Sequence, residues 1–308
     1  MDIGILVTQM IELFIIMLLG YIVYKLKIVD DAFVKKFTKL VLDVTLPAMI
    51  LASVLNLTER QPVMDVLICL GTAVVLIFVI LPAIGGLLAV IVRADTRTRG
   101  LYTFMNTFSN VGFMGFPVIK ALCGDVGLFY AAIFNLVFNI AVYSLGVWLI
   151  NRGRRHEVKF SPKMLISPGT VVAVLSLLVY FLNVHPPEVI TGTVTTLGEI
   201  TSPAAMLIIG FSLARIDIKN VFNEWRLYPW TVLKQVGVPL LLWFPLTWVI
   251  KNQMLLAVTY LMTAMPVANT AVLFATTFEV NADLAAKGVF ITTLFSLITV
   301  PLTVMLVM

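Results

Sequence analysis

Ten apolar runs, each near the length of a bilayer-crossing helix, follow one another with only short polar breaks between them: 3–25, 33–55, 64–91, 101–123, 126–150, 167–183, 189–214, 228–250, 254–277 and 284–308. About 20 mainly apolar residues carry a helix across the hydrocarbon core. Only 12% of the 308 residues are charged, against about a quarter in a soluble domain. The longest polar connection, "NRGRRHEVKFSPK" from Asn151, is too short to be a soluble domain. The expected fold is therefore an all-α polytopic membrane protein of ten transmembrane helices in the cell (inner) membrane. Asp2 precedes the first run with no basic flank or small-residue cleavage site, so that run is expected to remain as a helix.

The basic residues sort by loop. Lys25, Lys27, Lys35, Lys36 and Lys39 follow the first span, and Arg93, Arg97 and Arg99 the third. Arg152, Arg154, Arg155, Lys159 and Lys163 follow the fifth, Arg215, Lys219 and Arg226 the seventh, and Lys287 the ninth. That is seventeen on one face against Arg60, Lys120 and Lys251 on the other. Cytoplasmic loops collect Lys and Arg, so both termini are expected outside. Loop basicity accounts for the net charge of +5 without a nucleic-acid partner. Cys69 and Cys123 fall in or near spans and form no disulfide framework. His156 and His185 lie in opposite-facing loops, so no metal site is expected, and no catalytic motif or cofactor signature is present.

The two halves repeat. "LDVTLPAMIL" from Leu42 matches "LGEITSPAAML" from Leu197, aligning Pro47 with Pro203. The fourth span, with "MNTFSNVGFMGFPVIKALCG", corresponds to the ninth, with "AMPVANTAVLFATTFEV". Five spans per repeat is an odd number, so the second repeat enters the membrane inverted, as in many secondary transporters. The organisation is then a first repeat at 1–150, a basic cytoplasmic loop at 151–166 and a second repeat at 167–308.

Both matched spans carry a proline among polar residues. Pro117 lacks a ladder donor and disfavours helix at Phe116, and Gly112 and Gly115 loosen the same turn. The fourth span is expected to unwind at 112–116 and restart at Pro117, and the ninth to break at Met265–Pro266 and restart from about Val267. Such backbone survives at membrane depth only inside protein or beside a wet cavity. Two restarting helices facing one point would offer free N–H donors and about half a positive charge each, an anion site. Asn106, Ser109, Asn110, Asn269 and Thr270 flank the breaks. The competing reading is a pair of proline-kinked helices whose polar groups bond their neighbours.

Ionisable residues within spans suggest function by default. Lys234, about 9 Å into the eighth span at 1.5 Å per residue, either snorkels to the cytoplasmic interface or supplies a cation near the crossover. Asp43 and Glu199 each stand four residues before a matched proline, beside the carbonyl that proline leaves without a donor. They either bind a proton or sodium ion for coupling or sit at an interface or aqueous vestibule. Glu12 is expected near the outer surface.

Taken together, "SNVGFMGFPVIKALCG", "AMPVANTAVLFATTFEVNADLA", "TTLFSLITVPLTVML", "VTLPAMIL" and the Lys234 segment "VLKQVGVPL" resemble the auxin efflux carrier family, over essentially the whole chain. The resemblance implies two inverted five-helix repeats, with helices four and nine broken and crossing at Pro117 and Pro266. It implies a scaffold from spans 1, 2, 6 and 7 that forms a homodimer, and a transport domain from spans 3–5 and 8–10 that moves as an elevator. Asn110 and Asn269 become polar crossover neighbours, and the partners are a small organic anion and the lipid bilayer. The long central loop of large plant members is absent, as is their Asn-Pro-Asn-Thr-Tyr crossover. The function implied is transport of small organic carboxylates, auxin-like or malate/malonate-like. A sodium-coupled carrier resembling the bile-acid symporters is the alternative. An inside-negative potential favours exit of a monoanion by about 2.3 kcal/mol per 100 mV.

Overall fold

The computed structural model describes residues 3–151, 168–216 and 221–307. The basic connection read at 151–166 thus lies outside the described residues except for Asn151. Within them the chain is helical, with one isolated β-bridge. In chain order the helices are α1 (Ile3–Lys25), α2 (Asp31–Leu55), α3 (Val63–Ile91), α4 (Arg99–Thr107), α5 (111–123), α6 (125–151), α7 (Pro168–Leu182), α8 (Glu188–Ala214), α9 (Leu227–Val249), α10 (Gln253–Ala264), α11 (Thr270–Thr277) and α12 (Ala282–Val307). Gly124, at φ 62° and ψ −154°, separates α5 from α6, a conformation open to glycine and costly for other residues. Six stretches are long and apolar enough to cross a bilayer: α2, α3, α5 with α6, α8, α9 and α12. α7 and α10 are shorter apolar helices. The protein is an integral membrane protein.

Four prolines inside these helices are absorbed by a widened turn rather than breaking the helix. π-helical turns occupy Val41–Thr45, Leu76–Ile80, Val111–Gly115 and Leu233–Gly237. Each ends two residues before a proline, at Pro47, Pro82, Pro117 and Pro239. A proline ring collides with the carbonyl four residues earlier. Inserting a residue moves that carbonyl aside, and the bond spans five residues instead: Leu46 N–H donates to Val41 O, Leu81 to Leu76, Phe116 to Val111 and Val238 to Leu233. The helical ladder therefore bypasses the clash beside Asp43 by this re-pairing, a feature that counting four residues back from Pro47 does not reveal.

Small residues set the closest helix contacts. A Cβ on Gly210 would stand 2.1 Å from Met17 O and 2.7 Å from Tyr21 N, and one on Gly20 would stand 2.5 Å from Leu207 O. α1 and α8 are thus packed backbone to backbone, the usual device where lipid removes any hydrophobic drive between helices. Gly198 brings α8 close to Met49 of α2, where a Cβ would stand 2.8 Å from its Cα, and Gly85 brings α3 against Thr103 of α4. α2 also packs on α7, α10 on the stretch 116–141 of α5 and α6, and α12 on α9 and α11.

Polar contacts tie the helix ends into two groups. At one end, Tyr24 donates to Asp31 Oδ1 at 2.7 Å, and Arg215 approaches the same oxygen at 2.8 Å. At the other, Arg60 donates to Tyr180 O at 3.1 Å, the Tyr180 hydroxyl donates to Gln61 O, and Asn252 donates to Asp65 at 2.7 Å. The loops after the first and seventh spans share one end, and those after the second, sixth and eighth share the other.

Candidate functional site

The fourth and ninth spans leave helical geometry side by side, near the middle of their lengths. α4 ends at Thr107; Phe108 (φ −105°, ψ 90°) opens a short extended piece, Asn110 (φ −77°, ψ 69°) closes it with a tight turn in which Val111 N–H donates to Ser109 O at 2.8 Å, and α5 begins at Val111. α10 ends at Ala264; Met265 (φ −58°, ψ 149°) takes the extended form expected of a residue before proline, and α11 begins at Thr270. The two extended pieces pair antiparallel around Ser109 and Val267. Asn110 N–H donates to Pro266 O at 2.7 Å, and Ala268 N–H to Phe108 O at 3.1 Å. Val267 N–H donates to the Thr292 hydroxyl of α12 at 3.1 Å. These bonds satisfy unwound backbone that lipid could not.

The interruption in the fourth span is therefore not at 112–116, and the helix does not restart at Pro117. Gly112, Gly115 and Phe116 already belong to α5, and Pro117 sits inside it behind its π turn. The start moves toward the N-terminus because Asn110 caps it: its side-chain oxygen accepts from Phe113 N–H at 3.2 Å, the task for which Asn is favoured at this position. In the ninth span the break does include Met265 and Pro266, but helix resumes at Thr270, three residues beyond the expected Val267.

Lys234 reaches this crossing. Its side chain is 1% exposed, so the snorkelling reading fails. The ammonium donates to Met265 O at 2.7 Å and to Ser109 Oγ at 3.0 Å, touching both unwound segments at once. Its position in the π turn Leu233–Gly237 is set by a buried neighbour: Gln235 donates to Thr292 O at 2.9 Å and accepts from Thr299 at 3.2 Å. Among the described residues no carboxylate pairs with Lys234.

The other sequence candidates divide. Asn110, Met265 and Pro266 are buried at the crossing, Phe116 and Pro117 are buried within α5, and Asn269 and Thr270 are half-buried at the start of α11. The Asn269 side chain makes no cap bond, and the Thr270 hydroxyl is buried without a partner. Asn106 is used elsewhere: its amide donates to Leu81 O at 2.8 Å, holding α4 against α3. Asp43 and Glu199 are exposed on α2 and α8 and do not join the crossing. Glu199 lines a cavity of about 110 Å³ together with Asn56, Lys120, Asp125 and Thr195. Glu12 is exposed on α1. Sequence reasoning missed Gln235 and Thr292; their only signal was polarity within an apolar span.

The family model described as "Membrane transport protein" matches residues 5–304. The chain is 26% identical over 217 residues to an uncharacterized transporter of Methanocaldococcus jannaschii, covering 68% of each chain. It is 24% identical over 305 residues to the uncharacterized transporter YfdV of Escherichia coli, covering 96% of each. The extent of the family match, nearly the whole chain, places this protein in the auxin efflux carrier family of membrane transport proteins.

Proposed function

We propose that this transporter carries small organic anions, held by a carboxylate at the crossing between the starts of α5 and α11. The observation that supports this most is Lys234, an ammonium buried at the crossing with no acidic partner among the described residues. Burying an unpaired ion costs several kcal/mol in effective terms, and an incoming carboxylate offsets that cost. Asn269 and the Thr270 hydroxyl have donors to offer beside it, and Asn110 orients the start of α5. Asp43 and Glu199 stand exposed on α2 and α8, so charge compensation at the crossing falls to Lys234.

In this reading the chain is two inverted five-span repeats, and α4–α5 and α10–α11 are the matched broken spans. α1, α2, α7 and α8 form a scaffold through which two copies associate. The remaining helices form a transport domain that moves past it as an elevator, in the inner membrane with both termini outside. The close α1–α8 and α2–α8 contacts support a scaffold of that composition.

The test is binding of radiolabelled mono- and dicarboxylates and indole acids to purified protein. Hydrogen bonds to charged groups contribute about 1.5–3 kcal/mol. Asn269→Ala and Asn110→Ala are therefore expected to weaken a bound acid by about 10-fold or more. Unchanged affinity in both variants would place the substrate elsewhere.

A further inference from the structure

We propose that the Lys234 ammonium is a resident cation. It fills, from within the chain, the cation site that two unwound segments create, so transport proceeds without sodium. Removing the amine turns the crossing into a sodium site. This deepens the functional reading in what it says about coupling, while the cation site itself rests on the geometry around Lys234.

In transporters with discontinuous helices, a coupling sodium ion is taken by unwound carbonyls and by C-terminal helix ends. Met265 is such a position: its carbonyl is the first beyond α10, where the helix dipole is negative. Ser109 adds a hydroxyl oxygen from the other unwound segment. Both are hard oxygen donors of the kind small cations select. The lysine nitrogen holds both, at 2.7 and 3.0 Å, so it stands where such an ion would bridge the two segments.

The ammonium is placed there by structure rather than by chance contact. The π turn Leu233–Gly237 carries it, and Gln235, bonded to Thr292 and Thr299, locks that turn against α12. Thr292 in turn holds Val267 of the unwound segment, so the amine and its carbonyl ligand share one support. Because Lys234 is 1% exposed, the amine cannot retreat to water to admit a second cation, and its charge repels one.

The test uses the full-length purified protein without any organic anion, so its outcome is independent of the substrate assignment. Radioactive sodium binding and thermal unfolding are measured in sodium chloride against choline chloride at equal ionic strength. Wild type is expected to bind no sodium and to melt at the same temperature in both salts. Lys234→Ala is expected to bind sodium and to be stabilised by it selectively, and Lys234→Arg, which keeps a cation, is not. Sodium binding by wild type overturns the proposal, as does a monodisperse Lys234→Ala protein that ignores sodium. If the alanine variant does not fold, volume-conserving Lys234→Met takes its place. Should both fail, the wild-type measurement still decides the central claim of sodium independence.

Discussion

At Val267 a buried N–H sits in unwound chain with no helical acceptor, and the hydroxyl of Thr292 supplies one while donating onward to Gly288 O at 2.7 Å. Valine matches threonine in shape but offers neither lone pair nor proton. Leaving the buried N–H unsatisfied costs about 1–3 kcal/mol. Thr292→Val should therefore lower the melting temperature by several degrees, and an unshifted melt would show that the bond carries no weight. Asn110 was legible as a polar residue beside a break; its place as the cap of α5 was not, because Pro117 drew the expected restart six residues further on. The direction of Lys234 was not, because nothing local separates a lysine that snorkels from one that turns inward. Its two acceptors, Ser109 and Met265, lie 125 and 31 residues away.

At the scale of the element, proline and glycine carry the information. Reading Pro117 as a helix start was reasonable from its missing N–H, yet Val111–Gly115 widens by one residue and lets the helix run through it. Whether a proline breaks a helix or is absorbed depends on what the carbonyls around it meet in the packed structure. Glycine gives a sharper test. On Gly210 even a methyl group would overlap Met17 O at 2.1 Å, a backbone atom that moves only if α1 and α8 part. Overpacking of this kind typically costs about 1–3 kcal/mol, and Gly210→Ala is expected to lower the melting temperature accordingly. Gly71 in α3 has open space around its Cα, so Gly71→Ala should leave stability unchanged or raise it by up to about 1 kcal/mol. Equal effects at the two positions would disprove backbone-to-backbone packing of α1 on α8.

Across the whole molecule, the two sets of end contacts, Tyr24–Asp31–Arg215 and Arg60–Gln61–Tyr180, group the loops into two sets, and the proposed orientation puts the more basic set in the cytoplasm. In a variant lacking Cys69 and Cys123, a cysteine at exposed Glu59 should react with a membrane-impermeant thiol reagent on intact cells. One at exposed Thr96 should react only after permeabilisation; the opposite pattern would invert the topology. The sequence by itself determined that this chain lives in a bilayer as helices, that it belongs among membrane transporters, and that polar, proline-bearing stretches interrupt the spans at 101–123 and 254–277. The first and third follow from hydropathy and from proline chemistry, which act within a few residues; the second follows from the inverted repeat and the family resemblance. Only the tertiary structure decided that the unwound pieces lie at 108–110 and 265–269, pair with each other through Ser109 and Val267, and are bridged by the Lys234 ammonium. An unwound backbone group in an apolar interior must find its partner in space, and here the partners that join the two breaks come from the opposite broken span, from α9 and from α12.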